Sequence, residues 1–244
     1  MKNYFYSFFV AVLLFSCDDP TATLEANPAS SDAQFSAKVM EPLATNSENP
    51  YDYAGVIYNE LLDSYLSENT RPTSLDSIIA QVNRIAAANI KYGVYFDPQI
   101  TSSSSATVQN IMLNPRTALS DYMAVSILGS RAQTSLRNFS SEVQYFLTTS
   151  TDYALIYNYI IDYETEILFD TSYSPDEQAL LLHTSSIVRQ GVYTKRKRPK
   201  PNRDPDWDWM LTCIVATSVE SNGNYASGIL NAVVIDIAGT DLPR

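Results

Sequence analysis

Apolar residues recur along most of this chain with the period of an α-helix. Between residues 51 and 67, Tyr53, Val56, Ile57, Leu61, Leu62 and Tyr65 fall three or four positions apart, which lines one helical face. Arg71-Pro72-Thr73 interrupts the pattern and Ser74 can cap a second helix. There Leu75, Ile78, Ile79, Val82, Ile85 and Ala86 make a stripe that reaches about Lys91. Residues 97–107 form a loop with Ser102, Ser103, Ser104 and Ser105 at its tip, followed by a short helical turn over 108–113. Pro115, at a favoured first-turn position, opens a helix to about Leu128. Residues 131–149 carry Leu136, Phe139, Val143, Phe146 and Leu147 at helical intervals, and Thr151-Asp152 can cap a long helix over 153–169. Ser174-Pro175-Asp176-Glu177 combines cap, first-turn proline and acids. The helix it starts runs through Leu180, Leu181, Ile187 and Val188 to about Tyr193. Residues 51–194 therefore predict an all-α fold, an irregular multi-helix bundle with short joints.

The flanks differ. Residues 195–208 are basic and proline-rich, the pattern of an exposed linker without regular structure. Residues 209–244 are an apolar C-terminal segment that reads as packed on the bundle. Its apolar stretches, 210–219 and 225–238, predict two helices broken at Ser221-Asn222-Gly223-Asn224, with strands as the alternative around Ala232-Val233-Val234-Ile235. Before the bundle, residues 18–50 are polar and proline-containing. They read as a flexible tether with an r.m.s. reach of roughly 30 Å. Signal and tether removed, roughly 190 residues remain, enough for a substantial core.

At the amino terminus, Lys2 precedes an apolar run from Tyr4 to Phe15 and the small residue Ser16. Such a run is shorter than the ~20 residues of a spanning helix and has the layout of a secretory signal, residues 1–16. Leu14, Ser16 and Cys17 resemble the lipobox of bacterial lipoproteins, although Phe15 stands where a smaller residue is usual. The resemblance implies a triacylated Cys17 as first residue of the mature chain, in a cell-envelope protein lipid-anchored to the outer membrane. Residues 17–50 are then the acylated cysteine and its tether. Asp18-Asp19 is similar to export signals on surface lipoproteins of the Bacteroidota. Asn49-Pro50-Tyr51-Asp52, with a helix behind it, is similar to uncharacterised secreted helical proteins of that group, a likeness that brings no activity with it.

Charge and composition remove several functions. A net charge of −11 argues against nucleic acid as a partner. With two cysteines, one assigned to lipid, no disulfide scaffold is available, and Cys213 reads as a small buried hydrophobe. The single histidine, His183, cannot assemble a zinc site and reads as a surface or boundary helix residue. No Glu-x-x-His pair, Gly-x-Ser-x-Gly elbow or phosphate-cradling glycine loop occurs. We therefore expect no catalytic residue, no metal and no cofactor. Asp162, Glu164, Glu166 and Asp170 read as a solvated acidic face.

Two features carry what functional expectation there is. Tyr153, Tyr157, Tyr159 and Tyr163, among 17 tyrosines, are core residues or, if exposed, an aromatic patch for sugar rings or a partner protein. Lys195, Arg196, Lys197, Arg198, Lys200 and Arg203 form a basic run. It reads as a solvated linker, as a contact for anionic lipid or glycan phosphates, or as a cleavage site. The expected function is a non-enzymatic envelope lipoprotein whose partners are the membrane, through its lipid, and another envelope protein or a glycan. The alternative is a precursor whose C-terminal segment is released at the basic run to act on membranes or as a signal.

Overall fold

In a computed structural model the described residues are 44–70, 72–150, 152–197 and 206–241. They form ten helices and no strand: α1 (Tyr53–Ser67), α2 (Leu75–Ala88), α3 (Ile90–Tyr95), α4 (Ser105–Leu113), α5 (Pro115–Val125), α6 (Ser130–Thr149), α7 (Tyr153–Phe169), α8 (Pro175–Lys197), α9 (Trp207–Ser221) and α10 (Tyr225–Asp241). Local chemistry sets many of these limits. Ser74, Ser104, Asp152 and Asp206 accept from backbone N–H groups in the first turns of α2, α4, α7 and α9. Ser174 and Glu177 bond reciprocally at the start of α8, a capping box. Asn89 divides the second predicted helix in two, because its side chain accepts from Tyr92 N and starts α3.

Helices without a polar face must sit inside, and α9 and α10 obey this rule. Residues 210–219 and 226–238 contain no exposed position. α9 packs along α10 and α5 and touches α4, α6 and α8, while α10 also meets α1, α2, α4 and α8. Each fully buried Ile, Leu or Val adds about 1.5–3 kcal/mol relative to exposure, so this pair forms the centre of the bundle. The segment expected to pack onto the fold is its middle, and Ala232 to Ile235 are helical. The αL residue Asn222 (φ 46°) and Gly223 (φ 95°) make the tight joint between the two helices.

α8 is the third central helix: residues 179–192 are all buried. Its polar side chains meet partners on neighbouring elements. Arg189, with no exposed surface, donates to Asp52 Oδ1 at 2.6 Å, to Glu164 Oε1 at 3.2 Å and to the Ala44 carbonyl. Glu164 also accepts from Asn46 Nδ2 (2.6 Å) and Ser185 Oγ (2.9 Å). Burial pushes the Glu164 carboxyl up, and Arg189, Asn46 and Ser185 pull it back. A second buried group joins Tyr58, which donates to Asp236 at 2.5 Å, and Lys195, which pairs with the same carboxylate. A third joins Ser103, Glu220 and Asn231, with Ser103 Oγ 3.1 Å from the carboxylate.

Several sequence expectations change here. The tether does not extend to residue 50: Ala44, Asn46 and Asn49 are buried, and Asn49 donates to the Leu182 carbonyl. Glu164 is no part of a solvated acidic face, because its carboxylate is sealed against Arg189. The serine loop is not a free tip, since Ser103 is docked between α9 and α10. The basic linker starts later than predicted, with α8 continuing to Lys197 because Lys195 and Arg196 find partners inside.

α1 crosses α8 closely enough that only glycine fits at residue 55. A Cβ there would lie 2.4 Å from the Ser186 carbonyl oxygen, a backbone atom. Chemical denaturation should show Gly55→Ala less stable by about 1–3 kcal/mol, the usual effect of overpacking. Arg189→Leu leaves two acids without their cation and should lose about 3–5 kcal/mol. An unchanged midpoint for either variant would contradict these packing assignments.

Candidate functional site

The four candidate tyrosines of α7 do not share a surface. Two positions along a helix turn roughly 200° around its axis, so Tyr157 and Tyr159 face opposite ways. Tyr153 is buried beside Tyr193, with ring centroids 5.3 Å apart, and the half-buried Tyr157 donates to the Thr45 carbonyl at 2.9 Å. Both belong to the packing of α7 on α8 and on the segment around residue 45. No exposed four-tyrosine patch exists.

Tyr159 and Tyr163 turn the other way, towards α6, and there the structure opens a groove of about 550 Å³. Its floor is aromatic. Phe139 stacks on Tyr163 with centroids 4.3 Å apart and lies 6.2 Å from the near-parallel ring of Tyr159. Tyr173, from the turn before α8, closes one end. The periodicity of α6 places Phe139 on its buried stripe with Leu136 and Val143, so Ser135 and Asn138 fall beside that stripe, on the groove wall. Ser135 Oγ donates to the Tyr163 hydroxyl at 3.3 Å.

The rim is polar and carries both donors and acceptors. Arg131 bonds Asp170 at 2.5 Å and lies 5.4 Å from the centroid of the Tyr173 ring, so its charge is already matched. Asp170 is held below its ordinary range chiefly by the hydroxyl and amide of Ser172. Asn138 and Glu166 are exposed. Neither side chain, nor the Tyr159 hydroxyl, makes a hydrogen bond to the described residues. The Tyr159 phenol is pushed up to about 12, mainly by burial and then by Glu142 and Glu166, so it remains a neutral donor. Aromatic floor and uncommitted polar rim are the ingredients of a small-ligand site, and the volume lies within the ~300–1,000 Å³ usual for one.

The basic run contributes differently from expectation. Lys195 is consumed by Asp236. Arg196 donates to the carbonyls of Leu147 and Ser150 at 2.8 and 2.6 Å, at the C-terminal end of α6, and lies against Trp207. Two of the six cations are thus part of the fold. Lys197 is the last residue of α8, whereas Arg198, Lys200 and Arg203 lie outside the described residues, as does Cys17.

His183 is buried, not a boundary residue. Its ring stacks on Tyr225 (4.5 Å) and meets the edge of Tyr53 (5.9 Å), and its Nε2 has no hydrogen-bond partner among the described residues. A general base must reach a nucleophile, and none is bonded to this atom. Among the described residues no group of three His, Cys, Asp or Glu side chains could hold a metal ion, and no helix is long and apolar enough to cross a membrane. Cys213 is buried in α9 with its Sγ towards the Ile111 carbonyl. No family model matches the chain, and no curated protein or solved structure compared with it is similar to it.

Burial lowers the His183 pKa from 6.5 to about 3. The unfolded chain therefore takes up a proton below pH 6.5 that the folded chain refuses, and stability falls as pH drops towards 3. At one pH unit per ~1.4 kcal/mol, denaturation at pH 4.5 and pH 7 should show wild type losing about 2–3 kcal/mol more than His183→Leu. At pH 7 the variant should be at least as stable, because it removes an unsatisfied buried atom. An equal acid response in both proteins would place His183 in contact with water.

Proposed function

We propose that the protein is a non-enzymatic lipoprotein of the cell envelope, acylated at Cys17, whose helical bundle binds a ligand or partner at the groove between α6 and α7. The anchor rests on the likeness of Leu14, Ser16 and Cys17 to a lipobox. The binding role rests on one observation: a groove lined by the half-buried Tyr159 ring, backed by the buried Phe139 and Tyr163, where Asn138, Glu166 and the Tyr159 hydroxyl make no bonds to the rest of the described structure. Exposed polar groups beside sequestered aromatic surface can exchange water for a ligand without disturbing the core. The sealed state of His183 adds support, since the one imidazole of the chain is buried and its Nε2 has no hydrogen-bond partner among the described residues.

Release of a C-terminal signal would dismantle this fold. A cut in the basic run would sever residues 210–238 from the helices that surround them, and this segment is the centre of the bundle. Extracting it would expose nearly all its buried apolar surface.

Intact mass spectrometry of the native protein from its membrane fraction tests the reading. The expected mass is a chain from Cys17 to Arg244 with acyl groups. An unmodified chain still carrying Met1 would remove the anchor, and an acylated fragment ending between Lys195 and Arg203 would restore the release reading.

A further inference from the structure

We infer that the α6–α7 groove is a saccharide site for one or two neutral pyranose rings. This deepens the binding role proposed above and rests on it. Pyranoses present an apolar face of C–H groups and an equatorial belt of hydroxyls, so a site for them needs an aromatic surface and planar polar groups around its edge. Tyr159 provides the partly accessible ring, positioned by its contacts with Phe139 (centroids 6.2 Å apart) and Phe146 (5.4 Å). Asn138, through an amide, can donate to one hydroxyl and accept from its neighbour, and the Glu166 carboxylate can accept from two. These two residues stand on different helices, α6 and α7, facing the groove from both walls.

Charge narrows the class. Among the described residues Glu166 is a rim carboxylate without an ion-pair partner, and the one cation lining the groove, Arg131, is already bonded to Asp170. An anionic ligand would meet an uncompensated negative charge on a chain of net charge −11. Uronic acids, sialic acids and sugar phosphates are thereby disfavoured, and neutral sugars, including N-acetylated ones, are favoured. An apolar ligand is disfavoured too, because it would strip water from Glu166 and Asn138 and return no hydrogen bond. The shallow, open form of the groove suits the end or a short stretch of a glycan rather than an enclosed small molecule.

Saturation-transfer NMR and calorimetry on the purified full chain test this, with cellobiose, maltose, lactose and N,N′-diacetylchitobiose as neutral probes and glucuronic acid as the anionic one. At least one neutral disaccharide should bind with a Kd of about 1 mM or tighter, equivalent to about −4 kcal/mol. Glucuronic acid should bind at least 10-fold more weakly. Tyr159→Ala and Asn138→Ala should each weaken the neutral ligand 10-fold or more with an unchanged circular dichroism spectrum. Leu113→Ala, on an exposed position of α4 outside the groove, should change nothing. Absence of binding by all four neutral probes at 10 mM overturns the assignment, as does binding indifferent to both groove variants or strongest for glucuronic acid. None of these results alters the acylated mass expected at Cys17, so the sugar assignment and the anchor fail separately.

Discussion

A guanidinium without any exposure dominates the construction of this protein. Transfer of a charge into the interior costs several kcal/mol even after relaxation, so Arg189 is tolerable only if every direction around it holds an acceptor. Asp52, Glu164 and the Ala44 carbonyl supply them, from before α1, from α7 and from the very start of the described chain. The consequence spreads outward. Residues 44–52 carry little apolar surface that could hold them down, yet they are fixed by Arg189, by the Asn46–Glu164 bond and by the Asn49–Leu182 bond. Because Glu164 faces inward to reach Arg189, the phase of α7 about its axis is set, and Tyr159 and Glu166 are thereby turned to the far side. The groove is a downstream result of the ion pair.

The same logic applies wherever a polar residue lies on α8, α9 or α10. Three central helices with no outward face must carry all their polar atoms into contacts with their neighbours. Asp236 takes Tyr58 and Lys195, while Asn231 and Glu220 take Ser103. These ties join residues far apart in the chain, and they act where apolar packing is least directional. Leu, Ile and Val specify that α10 is inside; Asp236 specifies which of its sides meets α1 and α8. His183 and the Nε of Arg196 depart from this rule. The His183 ring satisfies the packing through Tyr53 and Tyr225, but its Nε2 has no partner among the described residues.

Legibility in the sequence follows the kind of force involved. Most of the outer helices are readable because they have an apolar stripe of the right period and many have a side-chain cap, as at Ser74, Ser174 and Asp152, whereas α3 hides behind the end of α2 and the stripeless α9 and α10 leave strands open. The joint at Asn222-Gly223 was readable from its residue types. What escaped is pairing. Glu164 looks like one acid among four on α7, although its spacing from Ile160 and Ile167 puts it on the buried stripe. Lys195 looks like the first residue of a basic linker, and only the position of Asp236, distant in sequence, makes it the end of a helix. Nothing in the composition of residues 44–50 marks them as buried, because their anchors are single hydrogen bonds to α7 and α8. The four tyrosines of α7 are close in sequence, but a 3.6-residue period divides them into two faces.

Where recognition chemistry can reside follows from these constraints. In the centre, polar atoms are either fully matched, as around Arg189, or sealed behind aromatic rings, as at His183. Ligand exchange there would require breaking core contacts. On the outer side of α7 the balance reverses. Phe139, Tyr163 and Ser135 lock one another, which gives a rigid base, and beside it Asn138, Glu166 and the Tyr159 hydroxyl have no partners among the described residues. A rigid floor lowers the entropy lost on binding, and uncommitted groups forfeit only water when a ligand arrives. Both terms favour association at this place, on the side of α7 turned away from Arg189.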